Sequence, residues 1–544
     1  MSAFSLYYMD LSSGLYSKLD IQKGRSTAGR VFKMANYYIG VDIGTTSTKA
    51  VVFDKKGQAV SRFGVEYPLY TPVPGTAEQN PEEIFQAVLT VIKGSMSTGG
   101  VSGADIRFVS FSSAMHSLIV VDSEGQPLTN SITWADNRSA AWADKIKNEN
   151  NGHEIYLRTG TPIHPMSPLV KLAWLKEEQP ELLAKGNKII GIKEFVFNRL
   201  FGVYVVDYSI ASAMGMFHLE NLDWDEEALE VAGVTADQLS RPVSTTESLM
   251  GLKAESAKMM GLPEDVPFIV GASDGVLSNL GVNAIETGVV AVTIGTSGAI
   301  RAVTDRPVTD PKGRIFCYAL TENHWVIGGP VNNGGMIFRW VRDELAWAEV
   351  EVAKRLGKDP YEVLTEIAEK IPAGSNGLLF HPYMAGERAP LWNANARGSF
   401  FGLGMHHKKE HMVRAVLEGI VMNLYSVLLA LEELIGTPTK IQATGGFARS
   451  TLWRQMLADI FDGEVSVPES FESSCLGAVV LGMYGLGEID SFDVVGEMVG
   501  SVHSHQPNRE NSEIYRELMP IFIRIPRLLE SEYEAISEFQ RKYS

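Results

Sequence analysis

The residues best suited to chemistry begin at Asp42. It ends an apolar run, residues 37–41, and is followed by Gly44-Thr45-Thr46-Ser47-Thr48-Lys49 and a second apolar run, residues 50–53. Two short strands joined by a small, hydroxyl-rich turn make a β-hairpin. Such a turn offers closely spaced backbone N–H groups, because Gly44 lets the chain approach a ligand. The hydroxyls add donors, Lys49 adds positive charge, and a carboxylate such as Asp42 suits a hydrated Mg²⁺. Together these are the parts of a grip on a nucleotide phosphate tail. The plainer alternative is an ordinary polar hairpin turn.

A second copy favours the grip. Residues 289–294, Gly295-Thr296-Ser297-Gly298 and residues 299–303 repeat the order strand, turn, strand. Ile43-Gly44-Thr45 matches Ile294-Gly295-Thr296, Lys49-Ala50-Val51 matches Arg301-Ala302-Val303, and Thr293 stands where the first copy has Asp42. The separation is too long for a solenoid and suits two similar domains. Two phosphate hairpins across a cleft resemble the actin-like ATPases. That resemblance implies an α/β fold, with two ribonuclease H-like domains of the actin-like ATPase type flanking a catalytic cleft.

Other polar groups fall at strand ends, where ligand sites tend to form. Met115-His116 follows a predicted strand over 106–112, and Trp134-Ala135-Asp136-Asn137-Arg138 follows another short apolar segment. Alone, the first pair reads as a core Met and a satisfied His, and the second as a helix entry capped by Asp136. Asp274 lies after the apolar run 266–271, at a strand-to-helix junction where a carboxylate serves as base or cap. Gly445-Gly446 permits the flat approach of an adenine ring or simply a tight turn.

The elements that must position these groups are legible in outline. A third strand is expected over 58–67, then a helix from Glu82 to about Lys93 with Asn80 as N-cap and Pro81 at its first position. Ser167 and Pro168 open another helix with Ser167 as cap. A long helix is predicted over 411–434, ended by Gly436. Helices over 513–523 and 528–543 are expected to be separated by Pro526.

The chain has 544 residues, enough for two full domains, and a net charge of −17. That charge argues against nucleic acid or an anionic membrane as the main partner. No purely apolar run approaches the length of a membrane-spanning helix. The two cysteines, Cys317 and Cys475, lack metal-ligand spacing and suit a reducing cytoplasm. Residues 1–35 lack the h-region and cleavage site of a secretory signal. They read as a poorly ordered extension, with Met34 as the expected natural start. The domains expected are then 36–282 and 283–544.

The chain resembles the FGGY carbohydrate kinases from about Tyr37 onward. Met166-Ser167-Pro168-Leu169-Val170-Lys171-Leu172-Ala173-Trp174-Leu175 is similar to the family's first signature. Gly398-Ser399-Phe400-Phe401-Gly402-Leu403, followed by His411-Met412 and Ala415-Val416-Leu417-Glu418, is similar to the second. Ala114-Met115-His116-Ser117-Leu118, Thr133 to Ser139, Gly160-Thr161-Pro162-Ile163-His164-Pro165 and Gly271 to Gly281 resemble the members acting on D-gluconate. Members acting on xylulose usually carry Gly-Gln-Met-His-Gly where this chain has Ser113-Ala114-Met115-His116-Ser117.

The resemblance implies ATP-dependent phosphorylation of a small sugar acid, D-gluconate, at its terminal hydroxyl, with ATP and Mg²⁺ required. Xylulose or another pentulose or polyol is the alternative substrate, and an actin-like ATPase or a sugar-sensing regulator the remoter one. Asp274 would be the general base. Asp42 would orient Mg²⁺. Thr45, Thr46 and Lys49 would hold phosphate from one side, and Gly295 and Thr296 from the other. Gly335, Gly445, Gly446 and Ser450 would hold the adenosine. Met115, His116, Trp134, Asp136, Arg138 and His164 would line the sugar site. Arg138 would grip the carboxylate, or instead pair with Asp136. No nucleic-acid or membrane partner is implied, and the resemblance leaves room for a homodimer.

Overall fold

The computed structural model describes residues 36–468, 472–500 and 502–543. The expected extension, 1–35, and the start assigned to Met34 lie outside the described residues.

Two sheets form the frame. The first comprises β1 (Tyr37–Ile43), β2 (Ser47–Asp54), β3 (Ala59–Glu66), β4 (Ile106–Ser113), β5 (Ser248–Leu249) and β6 (Phe268–Ser273), in the spatial order β5-β6-β4-β1-β2-β3. β1, β2 and β3 make an antiparallel meander, while β4 pairs parallel with β1 and β6 parallel with β4. The expected hairpin is present with Asp42 opposite Lys49 and Ile43 opposite Thr48. β1 and β4 are buried along most of their length because both faces of the sheet are covered.

The second sheet repeats the plan. It comprises β7 (Val289–Ile294), β8 (Gly298–Thr304), β9 (Phe316–Thr321), β10 (His324–Val331), β11 (Lys440–Thr444), β12 (Val465–Pro468) and β13 (Val502–His505), in the order β9-β10-β8-β7-β11-β12-β13. β7 and β8 are the second hairpin, with Ile294 opposite Gly298, and β11 runs parallel to β7.

Helices cover both sheets. On one face of the first lie α1 (Pro81–Gly99), α2 (Ile192–Phe201) and α3 (Ala254–Met260), which bury Val88, Ile92, Phe195 and Met260 against Val41, Val52 and Phe111. α1 begins as expected, with the Asn80 side chain accepting from the Glu82 and Glu83 N–H groups. In the helix Pro168–Glu178, Ser167 occupies the N-cap position as expected, but its hydroxyl makes no capping bond.

The other face carries α4 (Asp274–Leu280), which continues directly from β6. The far face of the second sheet packs on α5 (Lys409–Ile435) and α6 (Thr451–Phe461). α5 is long and apolar enough by composition to cross a membrane, yet 78% of its most apolar window is buried in the protein. Charged residues such as Arg414 and Glu418 interrupt its apolar sequence, and these two pair with each other at 2.8 Å.

α7 (Ser473–Gly485) lies beside α4, and one apolar cluster joins both helices to Tyr38, Phe53 and Phe108 of the first sheet and Phe316 and Val326 of the second. The two helices touch through glycine. A Cβ at Gly281 would lie 1.8 Å from the Ser473 carbonyl oxygen, and one at Gly477 2.0 Å from that of Leu277.

Two helices end the described chain, α8 (Arg509–Leu528) and α9 (Glu530–Tyr543). Pro526 lies inside α8 and does not divide it, contrary to expectation. A helical proline leaves the carbonyl four residues earlier without its N–H partner. That carbonyl, on Phe522, instead accepts from His381 Nε2 at 2.9 Å.

Candidate active site

The first hairpin presents its carboxylate in a fixed posture. Asp42 Oδ1 accepts from the Ser112 hydroxyl and Oδ2 from the Ser474 hydroxyl, both at 2.8 Å. Ser112 lies on β4 and Ser474 in the first turn of α7, so three elements orient one side chain. Lys49 Nζ stands 3.6 Å from Asp42 and 3.1 Å from Glu472, which leaves it partnered inside the protein. In the turn, Thr46 is exposed and Thr45 half-buried. Gln79 Nε2 donates to the Thr45 carbonyl, and the Trp134 indole N–H donates to the Thr45 hydroxyl at 2.9 Å. The turn is therefore tied to the Trp134 segment.

The second hairpin is braced by glycine. Gly335 N–H donates to the Gly295 carbonyl at 2.7 Å, and Met336 N–H to that of Thr296 at 3.1 Å. Gly445, at φ 113°, closes on Ile294 so tightly that a Cβ would meet its carbonyl oxygen at 2.3 Å, while Gly446 beside it faces open space. Gly295, Gly335 and Gly445 thus form one patch at the end of β7. Ser450 stands slightly apart as the N-cap of α6, accepting from Trp453 N–H at 3.3 Å.

Asp274 opens α4, half-buried, and its Oδ1 accepts from the Gly275 N–H at 2.7 Å. Burial, then the negative charge of Asp42, push its carboxyl up to about 6, against the pull of Arg301 and Arg388. Arg301, on β8, reaches α4: a Cβ on Gly275 would lie 2.9 Å from its Nη2. A carboxylate with this environment suits a general base near neutral pH.

The sugar-side candidates converge. His116 is buried at φ 67°, with Nδ1 2.7 Å from the Ala213 carbonyl. That oxygen can only accept, so Nδ1 carries the proton and Nε2 presents a lone pair. His164 has the opposite arrangement: its Nδ1 accepts from Met166 N–H at 3.2 Å, so a neutral ring carries its proton on Nε2. Burial, with Lys171 and Arg388, holds His116 down to about 3, and burial followed by Arg388 holds His164 well below its ordinary range. Met115 is half-buried between two apolar clusters.

Arg138 takes the alternative expected of it. Its Nε donates to both oxygens of the buried Asp136 at 3.1 and 3.0 Å, its Nη2 pairs with Glu78, and its guanidinium lies over the Trp174 ring. Asp136 also accepts from the Ala77 N–H at 3.0 Å, so the pair serves as a brace for the segment.

Three groups that sequence reasoning passed over belong to the same region. Arg388 is buried beneath the Trp134 ring, with its guanidinium carbon 4.9 Å from the centroid. Tyr318 sets its ring edge-on to His116 at 6.0 Å. The Nε atoms of Arg388 and Arg301 and the Tyr318 hydroxyl are buried with no hydrogen-bond partner among the described residues. Arg301 was visible as the counterpart of Lys49. Arg388 and Tyr318 carried no local signal, because the residues they meet are far away in sequence.

Residues 37–281 match the N-terminal domain model of the FGGY family of carbohydrate kinases, and residues 290–486 match the C-terminal domain model. The chain belongs to the FGGY family of carbohydrate kinases. It is 61% identical to the gluconokinase of Bacillus licheniformis over 94% of this chain and 99% of that protein. It is likewise 61% identical to the gluconokinase of Bacillus subtilis strain 168, over 93% and 99%. The crystal structure of gluconate kinase from Lactobacillus acidophilus superposes with a TM-score of 0.87 at 40% identity, covering 92% of this chain and 99% of that one. As an FGGY kinase the chain is an ATP-dependent carbohydrate kinase with two ribonuclease H-like domains.

Among the described residues no group of three or more His, Cys, Asp or Glu side chains could hold a metal. Mg²⁺ in kinases is held by one or two carboxylates together with substrate phosphates, so a single oriented aspartate fits that ion. Asp42 has both oxygens directed by hydroxyls and meets that description.

Proposed function

We propose that this FGGY kinase transfers the γ-phosphoryl group of ATP to the C6 hydroxyl of D-gluconate, giving 6-phospho-D-gluconate and ADP. The observation that carries the reading is the 61% identity to two gluconokinases over nearly the whole chain. Identity to the xylulose kinase of Bacillus subtilis is 27%.

Asp274 takes the proton of the attacking hydroxyl as the oxygen bonds to the γ-phosphorus and the bond to the bridging oxygen of ADP breaks. Phosphoryl transfer otherwise asks chiefly for positioning and charge neutralisation. Thr45, Thr46 and Lys49 serve the phosphates from the first hairpin, and Gly295 and Thr296 from the second. The glycine patch of Gly335, Gly445 and Gly446, with Ser450 nearby, receives the adenosine. His116 and His164 offer one acceptor and one donor to sugar hydroxyls, with Met115 and Trp134 as apolar walls. Mg²⁺ bound with the nucleotide neutralises phosphate charge, and Asp42 is the side chain that would hold it. Two buried, unpaired cysteines suit a reducing cytoplasm as the place of work.

Xylulose is the second reading, because a ligand-bound xylulose kinase structure from Lactobacillus acidophilus is also 40% identical, with a TM-score of 0.86. ADP release against gluconate, xylulose, ribulose, glycerol, fuculose and rhamnulose separates the two. Gluconate is expected to give the highest kcat/KM, and a preference for xylulose would overturn the proposal.

A further inference from the structure

The cations around the sugar site divide into those already partnered and those not. Arg138 is taken by Asp136 and Glu78. The Lys171 ammonium, fully buried, donates to the carbonyls of His116, Met166 and Ile132. Lys193 is paired with Asp207 at 2.6 Å. Arg388 differs. It is only 8% exposed, and among the described residues it has no ion pair. Among these residues its one side-chain hydrogen bond, from Nη2 to the Val331 carbonyl, is long at 3.3 Å, and its buried Nε has no hydrogen-bond partner.

Its neighbour Glu387 attracts it but forms no ion pair with it. The Glu387 carboxylate is occupied by the N–H groups of Asn332 and Arg388 and by the side-chain amides of Asn333 and Asn423, at 2.6 to 3.0 Å. A guanidinium has five donors, and burying one uncompensated is strongly unfavourable. Such a group is suited to a ligand that brings its own negative charge. Arg301, whose buried Nε also has no hydrogen-bond partner among the described residues, lies against α4 and Asp274 at the phosphoryl-transfer end.

We propose that Arg388, stacked on Trp134 and with the Tyr318 hydroxyl nearby, is the residue that grips the carboxylate of the sugar acid and so selects it over neutral sugars. The assignment rests on the gluconate reading above and replaces Arg138 in the role expected from sequence. The planar fork receives the carboxylate bidentately, and Trp134 fixes the plane of the fork by stacking. The carboxylate anchors one end of the substrate while the terminal hydroxyl at the other end meets Asp274. Arg138 acts as a positioning residue only, holding the Trp134 segment through Asp136.

The test compares D-gluconate with D-gluconamide, which keeps shape and hydroxyls but loses the charge, by calorimetric titration of the full chain. The intact protein is expected to prefer gluconate by about a hundred- to a thousandfold, the span set by losing one side of a buried charge pair. Arg388→Met should bring the two ligands to near equality while ATP still binds, and Arg138→Met should leave the preference standing. A preference retained in Arg388→Met, or erased in Arg138→Met, overturns the assignment. Should Arg388→Met fail to fold, Arg388→Lys decides. It keeps the charge without the fork and is expected to lose a severalfold share of the preference, and an unchanged preference would again overturn the clamp. An intact enzyme that favours a neutral ketose over gluconate would instead bring down the substrate reading and the clamp together.

Discussion

At the scale of single residues the proposed chemistry turns on Asp274. Its raised carboxyl must be ionised to accept a proton, so kcat/KM is expected to climb with pH through a limb near 6. Asp274→Asn should abolish that limb and cost about 10²–10⁴-fold in rate while nucleotide still binds. Near-normal turnover in this variant would relocate the base. The same substitution carries a stability signature. A carboxylate whose folded value lies above its unfolded one is penalised once ionised, and the penalty grows as pH rises from the unfolded value toward 6. At pH 7 the penalty is complete, so Asp274→Asn should unfold at higher denaturant by roughly 1–3 kcal/mol, a gain that fades below about pH 4. Asp274 was legible from its place after an apolar run. Arg388 was not, because what distinguishes it is the absence of a partner, and absence leaves no trace in a sequence.

At the scale of elements, both hairpins were legible because strand, glycine turn and strand are consecutive in the chain. The end of the chain was misread for a related reason. Proline breaks a helix by stranding a carbonyl, and nothing near residue 526 shows that His381 lies ready to donate to the Phe522 carbonyl. The crossing of α4 and α7 was also hidden, since single glycines read as turns until the partner helix is known. Gly477→Val tests that crossing. Its new Cβ would meet the Leu277 carbonyl oxygen, which belongs to rigid backbone, and overpacking of this kind costs roughly 1–3 kcal/mol or more. Urea unfolding of the variant should show the loss, and an unchanged midpoint would mean the helices can separate without cost.

At the scale of the whole molecule, the proposed phosphate grip is divided between two sheets, so neither hairpin would enclose the nucleotide alone. ATP and the sugar acid together are therefore expected to compact the protein more than either alone. Small-angle scattering curves that coincide in all ligand states would exclude a closing cleft. The placement of α7 has a further consequence, in the order of events during synthesis. The face of the first sheet that carries Tyr38, Phe53 and Phe108 is covered by a helix ending at Gly485, more than three hundred and fifty residues beyond Phe108 in the chain. As the chain leaves the ribosome, that face has only α4 on it until almost the entire protein has been made. The first-translated half must then wait for the last, and a nascent chain stalled before residue 473 presents an incompletely covered apolar sheet to chaperones.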